Sequence, residues 1–292
     1  MPATYTPVRY PGGKTKLYPI VSRLIVANEF ENVTYAEAFA GGAGLAIKLL
    51  LKGEVSRIYI NDIDRAVFCM WDAIVNHSEE LCKFVDSATF SIEEWESHRE
   101  IYRNMEQASN LQLGKSAFYL NRTNVSGILK GGVIGGIGQA GKYKMDARFP
   151  KDTLKGKIRS IADRKSAIRL FNMDAEVFIS EVLQHEDDVF AYFDPPYVKK
   201  GPGLYRDHFD ESKHRSLAKC ITGCTFPWIA TYDESALIKE LYSGYIAGNI
   251  QIKYTANQIS DAFEVFISSS EVTIPKDIAE LRMLELSESV LM

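Results

Sequence analysis

Four consecutive residues carry the clearest chemistry in the chain: Asp194, Pro195, Pro196 and Tyr197, which follow the apolar run VFAYF. Proline has no backbone N–H, so two prolines in a row cannot continue a central strand, and their carbonyl groups are free to accept hydrogen bonds. Asp194 adds a carboxylate acceptor, and Tyr197 adds an aromatic face. Acceptors beside a flat ring, with no obvious donor, suit an amino group carried by a flat ring.

The same residues indicate how such an amine could react. Asp194 and the Pro195 carbonyl could hold both amine hydrogens, which frees the nitrogen lone pair to attack an electrophilic methyl group. An aspartate with an ordinary pKa of about 3.9 is too weak a base to deprotonate a neutral amine first. Proton loss is therefore expected after methyl transfer. A simple strand-ending turn is the alternative interpretation of the motif.

A second set of residues lies upstream, in EAFAGGAGL and INDID. Gly41, Gly42 and Gly44 permit a tight turn and a close approach of a ligand to the backbone. Asp62 ends the next apolar run, where a carboxylate can accept both hydroxyls of a ribose. Glu37 would repel a pyrophosphate, so the loop suits a cofactor with a cationic end, such as S-adenosylmethionine. Glycines that only serve close helix–strand packing are the alternative.

Apolar runs place these residues at the ends of strands. Five of them, VTYAEAF, RIYIND, AIRLFN, VFAYFD and FPWIATY, indicate buried strands near residues 33–39, 57–62, 167–172, 189–194 and 226–232. Helical patterns follow the first two, and this alternation predicts an α/β fold with a parallel, doubly wound sheet. YIAGNIQIKYT and DAFEVFISSS predict a final antiparallel pair.

The middle of the chain, residues 64–166, contains no convincing strand. Its helical patterns include one capped by Ser91 with Glu94, and another with Asp152 at the N-cap. Residues 112–170 hold 13 Lys or Arg and three acidic residues, a net charge of +10 in a chain of net −4. A basic segment in an acidic protein suggests a polyanion partner, and a solvated charged surface is the alternative.

The composition is that of an ordinary globular enzyme, with 292 residues, 46% hydrophobic and 25% charged. No apolar run has the length of a membrane span, and the N-terminus lacks the apolar segment of a signal peptide. We therefore expect a cytoplasmic protein without a membrane partner. The four cysteines suggest free thiols in a reducing compartment, and no Cys–His set predicts a metal site.

These motifs together resemble the Dam-like group of DNA N6-adenine methyltransferases, and they occur in the group's order over nearly the whole chain. RYPGGK resembles the N-terminal cofactor motif, which is W-x-G-G-K in many members, with Tyr10 in place of tryptophan and Lys14 retained. EAFAGGAG resembles E-P-F-x-G-x-G, with Ala38 in place of proline. INDID matches the ribose-binding acid, LNRTNVSGI the start of the DNA-contacting part, and DPPY the catalytic motif.

The resemblance implies a Rossmann-like methyltransferase fold with a mostly helical inserted DNA-recognition domain. Residues 1–64 and 166–292 would form the catalytic domain that uses S-adenosylmethionine, and residues 65–165 the DNA target-recognition insertion. The implied activity is that of a site-specific, adenine-specific DNA methyltransferase, which methylates N6 of an adenine flipped out of duplex DNA.

The resemblance also implies roles for individual residues. Asp194 and the Pro195 carbonyl would hold the adenine amine, with Pro196 shaping the motif and Tyr197 stacked on the base. The residues expected to contact S-adenosylmethionine are Tyr10, Lys14, Glu37, Phe39, Gly41, Gly42, Gly44, Asp62, Asp174 and Asp194. For Asp174, a carboxylate at a helix N-terminus is an equally good interpretation.

Six residues of the middle segment are expected to contact DNA: Asn121, Arg122, Asn124, Lys130, Lys142 and Lys144. Asparagine and arginine suit base edges or phosphates, although helix capping and an internal salt bridge explain the first three equally well. The lysines would reach phosphates. The stretch KGGVIGGIGQAGKYK lacks the ending of a phosphate loop, and we predict a mobile loop that orders on DNA.

Other functions and partners stay open at this stage. A methyltransferase of RNA, of cytosine N4 or of a protein glutamine is one alternative, although Asp194 and LNRTNVSGI favour adenine in DNA. A catalytically silent DNA-binding subunit is another, and the intact DPPY motif disfavours it, while Glu37 makes a dehydrogenase a poor interpretation. The expected partners are double-stranded DNA and, within a restriction–modification system, a cognate restriction endonuclease. We expect a monomer or weak dimer, and the sequence does not specify the recognition site.

Overall fold

The computed structural model describes residues 4–30, 32–198, 209–254, 260–275, 278 and 281–283. Within this part of the chain, eight strands form one sheet. They are β1 (Thr34–Glu37), β2 (Arg57–Asn61), β3 (Ile168–Phe171), β4 (Val189–Phe193), β5 (Trp228–Asp233), β6 (Ile246–Tyr254), β7 (Ser260–Ser268) and β8 (Leu281–Met283). The five predicted buried strands and the final antiparallel pair are confirmed, while β8 has no counterpart among the predicted strands.

The strand order is β3-β2-β1-β4-β5-β7-β6-β8. The first five are parallel, and β7 runs antiparallel between β5 and β6. The chain leaves β1 for β2 and β3 on one side and later returns to β4 on the other. The α/β class with a Rossmann-like sheet is therefore confirmed, and the reversal of direction lies between β1 and β4, where such sheets bind ligands.

Helices connect and cover the strands. They are α1 (Tyr18–Ala27), α2 (Gly44–Lys52), α3 (Arg65–Val75), α4 (Ser78–Ser87), α5 (Ile92–Arg103), α6 (Asn110–Thr123), α7 (Lys151–Ala162), α8 (Ala175–Glu181), α9 (Glu211–Thr222) and α10 (Ala236–Leu241). Ser91 caps α5 as predicted, because its hydroxyl accepts the Glu94 N–H at 3.1 Å. The prediction for Asp152 is wrong: α7 begins at Lys151, so Asp152 lies in the first turn. None of the described helices is long and apolar enough to cross a bilayer.

Two hydrophobic clusters cover the two faces of the sheet. Tyr35 of β1 belongs to the first cluster and its neighbour Ala36 to the second, as the alternation of side chains along a strand requires. The first cluster continues into the middle segment through Trp71, Trp95 and Tyr119. Residues 65–165 thus share their core with one face of the sheet, and their division into a separate DNA-recognition unit remains a prediction.

Candidate active site

The strand register brings three acidic residues to one edge of the sheet. Glu37, the last residue of β1, lies opposite Ile60 of β2 and Tyr192 of β4. Asp62 and Asp194 each follow two residues later, just beyond the ends of their strands. Because these strands are parallel neighbours, their carboxyl ends form a common edge at the switch point. The glycine-loop motif with Asp62 and the DPPY motif, which are far apart in the sequence, therefore meet at one edge of the sheet.

Asp194 has one oxygen occupied by the protein and one open. Lys14 Nζ donates to Oδ1 at 2.6 Å, and Thr231 Oγ1 donates to the same oxygen at 3.3 Å. Since the threonine hydroxyl has a single proton, the Tyr192 hydroxyl, 2.6 Å away, must donate to Thr231. Among the described residues no group donates to Oδ2. Oδ2 is thus free to accept an N–H from a substrate.

The ionisation of Asp194 reflects its burial. Loss of solvent raises the pKa of Asp194 to about 6; the Lys14 ammonium opposes this effect, and the Glu264 carboxylate adds to it. The carboxylate form that accepts hydrogen bonds therefore dominates above about pH 6.

Lys14 and Tyr197 form a compact cluster with Glu264, a residue of β7 that sequence reasoning missed. Lys14 Nζ donates to the Tyr197 hydroxyl at 2.9 Å and lies 3.5 Å from Glu264 Oε2. The Tyr197 hydroxyl in turn donates to Glu264 Oε1. Burial alone would lower the pKa of Lys14, but the carboxylates of Asp194 and Glu264 outweigh it and raise that pKa. The sequence did carry one signal for Glu264, which is the only charged residue in the apolar stretch FEVFI.

The glycine loop between β1 and α2 is packed against the N-terminal segment. A Cβ at Gly41 would lie 2.6 Å from the Tyr10 ring, one at Gly42 2.7 Å from Tyr10 Cβ, and one at Gly44 2.3 Å from Thr15 Oγ1. Gly41 also has φ +46°, which favours glycine. The glycines therefore allow the N-terminal segment to pack closely against this loop. The alternative interpretation of the sequence had assigned them to close packing between a helix and a strand.

Asp62 fixes the same loop from the second strand. Its Oδ2 accepts the Gly41 N–H at 2.9 Å and its Oδ1 accepts the Asp64 N–H at 2.9 Å. The Gly41 carbonyl accepts from Trp71 Nε1 at 2.8 Å, a contact that the sequence gave no means to foresee. Burial raises the pKa of Asp62 to about 7, and the two backbone N–H donors oppose that effect.

Glu37 is an acid almost closed off from water, 5% exposed. Its Oε1 accepts the N–H of Ala46 in the first turn of α2 at 2.9 Å. Burial raises the pKa of Glu37 to about 8, while the bond from Ala46 opposes the shift. A cation bound beside Glu37 would stabilise its ionised form, whereas a phosphate there would meet a carboxylate. The carboxylates of Glu37 and Asp62 fit S-adenosylmethionine, which carries an ammonium, a sulfonium and a ribose.

The remaining residues of the cofactor and catalytic predictions surround this edge. Pro195 is buried and Pro196 is half-buried. The Phe39 ring lies 6.3 Å, centre to centre, from that of Phe209. Asp174 is the N-cap of α8, where it accepts the N–H of the second helical residue at 2.9 Å, and it pairs with Lys213 at 3.4 Å. The helix-terminus interpretation of Asp174 thus accounts for its position.

Asn121 and Asn124 lie inside the protein, at 1% and 0% exposure. Asn121 accepts the Arg9 N–H at 2.9 Å and donates to the carbonyls of Arg9 and Gly127. Asn124 accepts from Trp95 Nε1 at 2.7 Å and donates to two carbonyls of the turn that follows α6. Both amides are used within the protein, so their positions favour a bracing role over the direct DNA contact expected from the sequence.

The braced turn presents an apolar side chain to solvent. Ser126 has φ +57° and Gly127 φ +78°, and a Cβ at Gly127 would lie 2.5 Å from the Arg9 carbonyl oxygen. Val125, at the tip, is 54% exposed. Since Arg9 precedes Tyr10, whose ring covers the glycine loop, this turn borders the site.

Arg122 belongs to a cluster of four cations with Arg9, Arg148 and Lys157. Arg9, Arg122 and Lys157 donate to backbone carbonyls or a hydroxyl, and Arg148 lies beside the Tyr143 ring. None of the four has a carboxylate partner among the described residues. Burial, Arg9 and Arg148 together lower the pKa of Arg122 to about 9. The internal salt bridge that was the alternative interpretation of Arg122 is therefore not found among the described residues, and the uncompensated charge there points to an anion supplied from outside.

The glycine-rich stretch around residues 130–144 has a defined structure. Gln139 donates to the carbonyls of Ile134 and Gly136 at 2.8 and 2.7 Å and accepts the Met145 N–H at 3.0 Å. Gly141 N donates to a carbonyl across the loop at 3.2 Å. One side chain thus satisfies three backbone groups of the loop, and its ordering on DNA stays a prediction.

The three candidate lysines occupy the solvent side of this loop. Lys130, Lys142 and Lys144 are exposed, and Lys144 donates to the Gln139 carbonyl. Between them, Tyr143 is 57% exposed and lies beside Lys142 and Arg148. Basic and aromatic groups on one projecting loop are the combination that nucleic-acid surfaces use.

Comparison with known proteins places these features in a family. The family model described as D12 class N6 adenine-specific DNA methyltransferase matches residues 10–258, from the Tyr10 motif to beyond β6. The chain is also similar to the Type II methyltransferase M.MjaIII of Methanocaldococcus jannaschii, with 24% identity over 204 residues, which are 65% of this chain and 68% of that protein. The family match includes all three acidic strand ends and the DPPY motif, and on this ground the chain belongs to the D12 class of N6 adenine-specific DNA methyltransferases.

Proposed function

We propose that this protein methylates N6 of an adenine flipped out of double-stranded DNA, at a specific sequence, with S-adenosylmethionine as the donor. The observation that carries the proposal is the state of Asp194. Its Oδ1 is held by Lys14 and Thr231, while Oδ2 receives no hydrogen bond from the described residues; Lys14 also contacts Tyr197. An amine with two hydrogens and a flat ring is the substrate group that such a site accepts.

The protein side of the reaction is positional. Asp194 Oδ2 accepts one N6 hydrogen and the Pro195 carbonyl the other, which directs the nitrogen lone pair out of the ring plane. The cofactor, when bound, supplies an electrophilic methyl group. One amine proton is lost after the new N–C bond forms, and Asp194 Oδ2 is an acceptor already in contact with the hydrogen that it holds.

Two acids and an aromatic ring would hold the cofactor. Glu37 would pair with its cationic end, Asp62 would accept from its ribose, and Tyr10 would cover the glycine loop on which it lies. Each assignment follows from the chemistry of the side chain and its place at the sheet edge. Lys14 acts on the substrate side, through Asp194.

The DNA would lie across the cation cluster and the loop around Gln139. Arg9, Arg122 and Arg148 offer positive charge that no acid of the described ranges neutralises, which suits phosphates. Removing a base from the stack costs a few kcal/mol, and these contacts would offset it. The exposed Val125 on its braced turn is an apolar group that could fill the space the base leaves.

A methyl-transfer assay tests the proposal. Purified protein with tritiated S-adenosylmethionine is expected to label double-stranded DNA, and long-read sequencing of DNA from a methylation-free host should locate N6-methyladenine in one sequence context. Asp194→Ala should remove the label while DNA binding persists. Label in RNA or at cytosine N4 would favour another acceptor, and DNA binding without any label would favour a silent subunit.

The salt dependence of DNA binding tests the interface separately. If phosphates contact the cation cluster, affinity should fall steeply with added salt, and Arg148→Gln should lower the slope of log K against log salt by about one. Arg159, which instead pairs with Glu79 at 3.7 Å, offers a matched control on α7. A flat salt dependence would remove the phosphate-contact part of the proposal.

A further inference from the structure

Glu264 is a buried acid that the proposed reaction has not used. It lies on β7 opposite Asp233 of β5, is 2% exposed, and is followed in the strand by Val265 and Phe266, which are fully buried. A carboxylate in such surroundings costs several kcal/mol unless charged and hydrogen-bonded partners compensate it. Its partners therefore indicate why the position is acidic.

Both partners of Glu264 belong to the site. Its Oε1 accepts from the Tyr197 hydroxyl, and its Oε2 lies 3.5 Å from Lys14 Nζ. That same Nζ donates to Asp194 Oδ1 at 2.6 Å. Glu264 thus touches the two side chains that flank the reactive carboxylate.

We propose that Glu264 is a positioning residue for methyl transfer, which holds Lys14 on one oxygen of Asp194 and fixes the hydroxyl end of Tyr197. This inference rests on the proposed function and adds to it the group that sets the geometry of the amine site. Two carboxylates share one ammonium, so Lys14 is drawn away from Asp194 Oδ2, the oxygen that the amine needs. The Tyr197 ring is held at its far end, so its face stays in place for the base.

A purely structural role for Glu264 would show only in the stability of the fold, whereas the positioning role predicts changes in both the ionisation of Asp194 and the rate of methyl transfer. The charged groups that face Asp194 are Lys14, Glu264 of β7 and Glu37 of β1. The hydroxyls around it are those of Thr231, Tyr35, Tyr192 and Tyr232. Among the charged groups, Glu264 is the nearby like charge that helps to raise the pKa of Asp194. Removing it should lower that pKa by about one unit.

The experiment is Glu264→Gln, which keeps the shape and removes the charge. Carboxyl 13C NMR of the free protein should show Asp194 titrating with a midpoint about one unit lower than in the wild type. In methyl transfer, the acidic limb of the kcat profile should move in the same direction, and kcat/KM for DNA at pH 7.5 should fall roughly tenfold to a hundredfold.

Glu186→Gln is the matched control. Glu186 also accepts from a tyrosine, Tyr59, at 2.6 Å, and it pairs with Arg57 at 3.4 Å. Glu186 precedes β4, at the end of that strand opposite to Asp194. This variant should keep the Asp194 titration and both kinetic constants. The inference is overturned if Glu264→Gln leaves the midpoint of the Asp194 titration unchanged and kcat/KM within twofold of the wild type. It is also overturned if Glu264→Gln changes these two quantities no more than Glu186→Gln does.

Tyr197→Phe tests the hydroxyl contact without removing a buried charge, and it serves if Glu264→Gln does not fold. Loss of the hydroxyl should raise KM for DNA, and the double variant should cost less than the sum of the two single variants. Tyr197→Phe with a wild-type KM would overturn the inference. A wild type that transfers no methyl group would overturn the proposed function, whereas an active wild type with an equally active Glu264→Gln variant would overturn this inference alone.

Discussion

The two glycine-rich loops of this protein look alike in sequence and differ in what holds them. In the loop 40–44, added Cβ atoms at Gly41, Gly42 and Gly44 would meet the N-terminal segment at 2.3–2.7 Å. In the loop 130–144, Gly132, Gly136 and Gly138 have no atom within 4 Å of an added Cβ, and one added at Gly131, Gly135 or Gly141 would lie 2.8–3.0 Å from backbone atoms of residues 128–143. The first loop needs glycine for contact between segments, while the second is held mainly by one side chain, that of Gln139.

The largest expected effect is that of Gly41→Ala. The new Cβ would lie 2.6 Å from the Tyr10 ring, and the backbone has φ +46°. We expect a loss of about 1–3 kcal/mol in the free energy of unfolding and a more than tenfold weaker affinity for S-adenosylmethionine. Urea unfolding and calorimetric titration measure the two effects. Wild-type values in both would mean that the loop does not need the close approach.

The acid beside the first loop gives the next largest effect, a pH dependence of cofactor binding. Burial raises the pKa of Glu37 to about 8, so Glu37 is mainly protonated at pH 6, and a bound ammonium would favour the ionised form. Binding should then release a proton, and affinity should rise with pH between about 6 and 7.5, by at most about tenfold per unit.

Calorimetry in buffers of different ionisation enthalpy counts the released protons. Asp62, whose pKa burial raises to about 7, titrates in the same range. Glu37→Gln separates the two acids: it should bind the cofactor more weakly and lose part of the slope. An unchanged slope in this variant would assign the proton release to Asp62.

Gln139→Ala should have a smaller effect, and only on DNA. Its amide satisfies three backbone groups of the second loop, so alanine should leave that loop disordered, at a cost of about 1 kcal/mol per lost hydrogen bond. We expect KM for DNA to rise several-fold, and calorimetry should give an unchanged affinity for S-adenosylmethionine. A change in cofactor affinity would show that the two loops are coupled.

The smallest effect is expected for Gly138→Ala, the matched partner of Gly41→Ala. The added methyl group meets open space, so the free energy of unfolding should change by less than about 0.5 kcal/mol. Methyl transfer with a short cognate duplex should stay within twofold of the wild type. A large loss of DNA affinity alone would place DNA against this glycine and would sharpen the contrast between the loops.

Local patterns in the sequence predict the parallel strands well, because buried strands are short apolar runs with clear ends. The strand-ending residues Glu37, Asp62 and Asp194 could be found for the same reason. The structure of the loop around Gln139 could not be predicted in this way. Its glycine content suggests a mobile backbone, and its hydrogen bonds join residues whose spacing follows no periodic pattern. The bracing roles of Asn121 and Asn124 were hidden because an amide suits a DNA base and a buried turn equally well.

The sequence by itself determined the acceptor chemistry of DPPY and the ends of the parallel strands. The tertiary structure alone decided which residues meet there. Lys14 reaches Asp194 across 180 residues, and Glu264 joins them because β7 lies antiparallel beside β5. The physical reason is that an apolar run specifies burial of a strand, whereas its neighbours depend on the packing of the whole sheet.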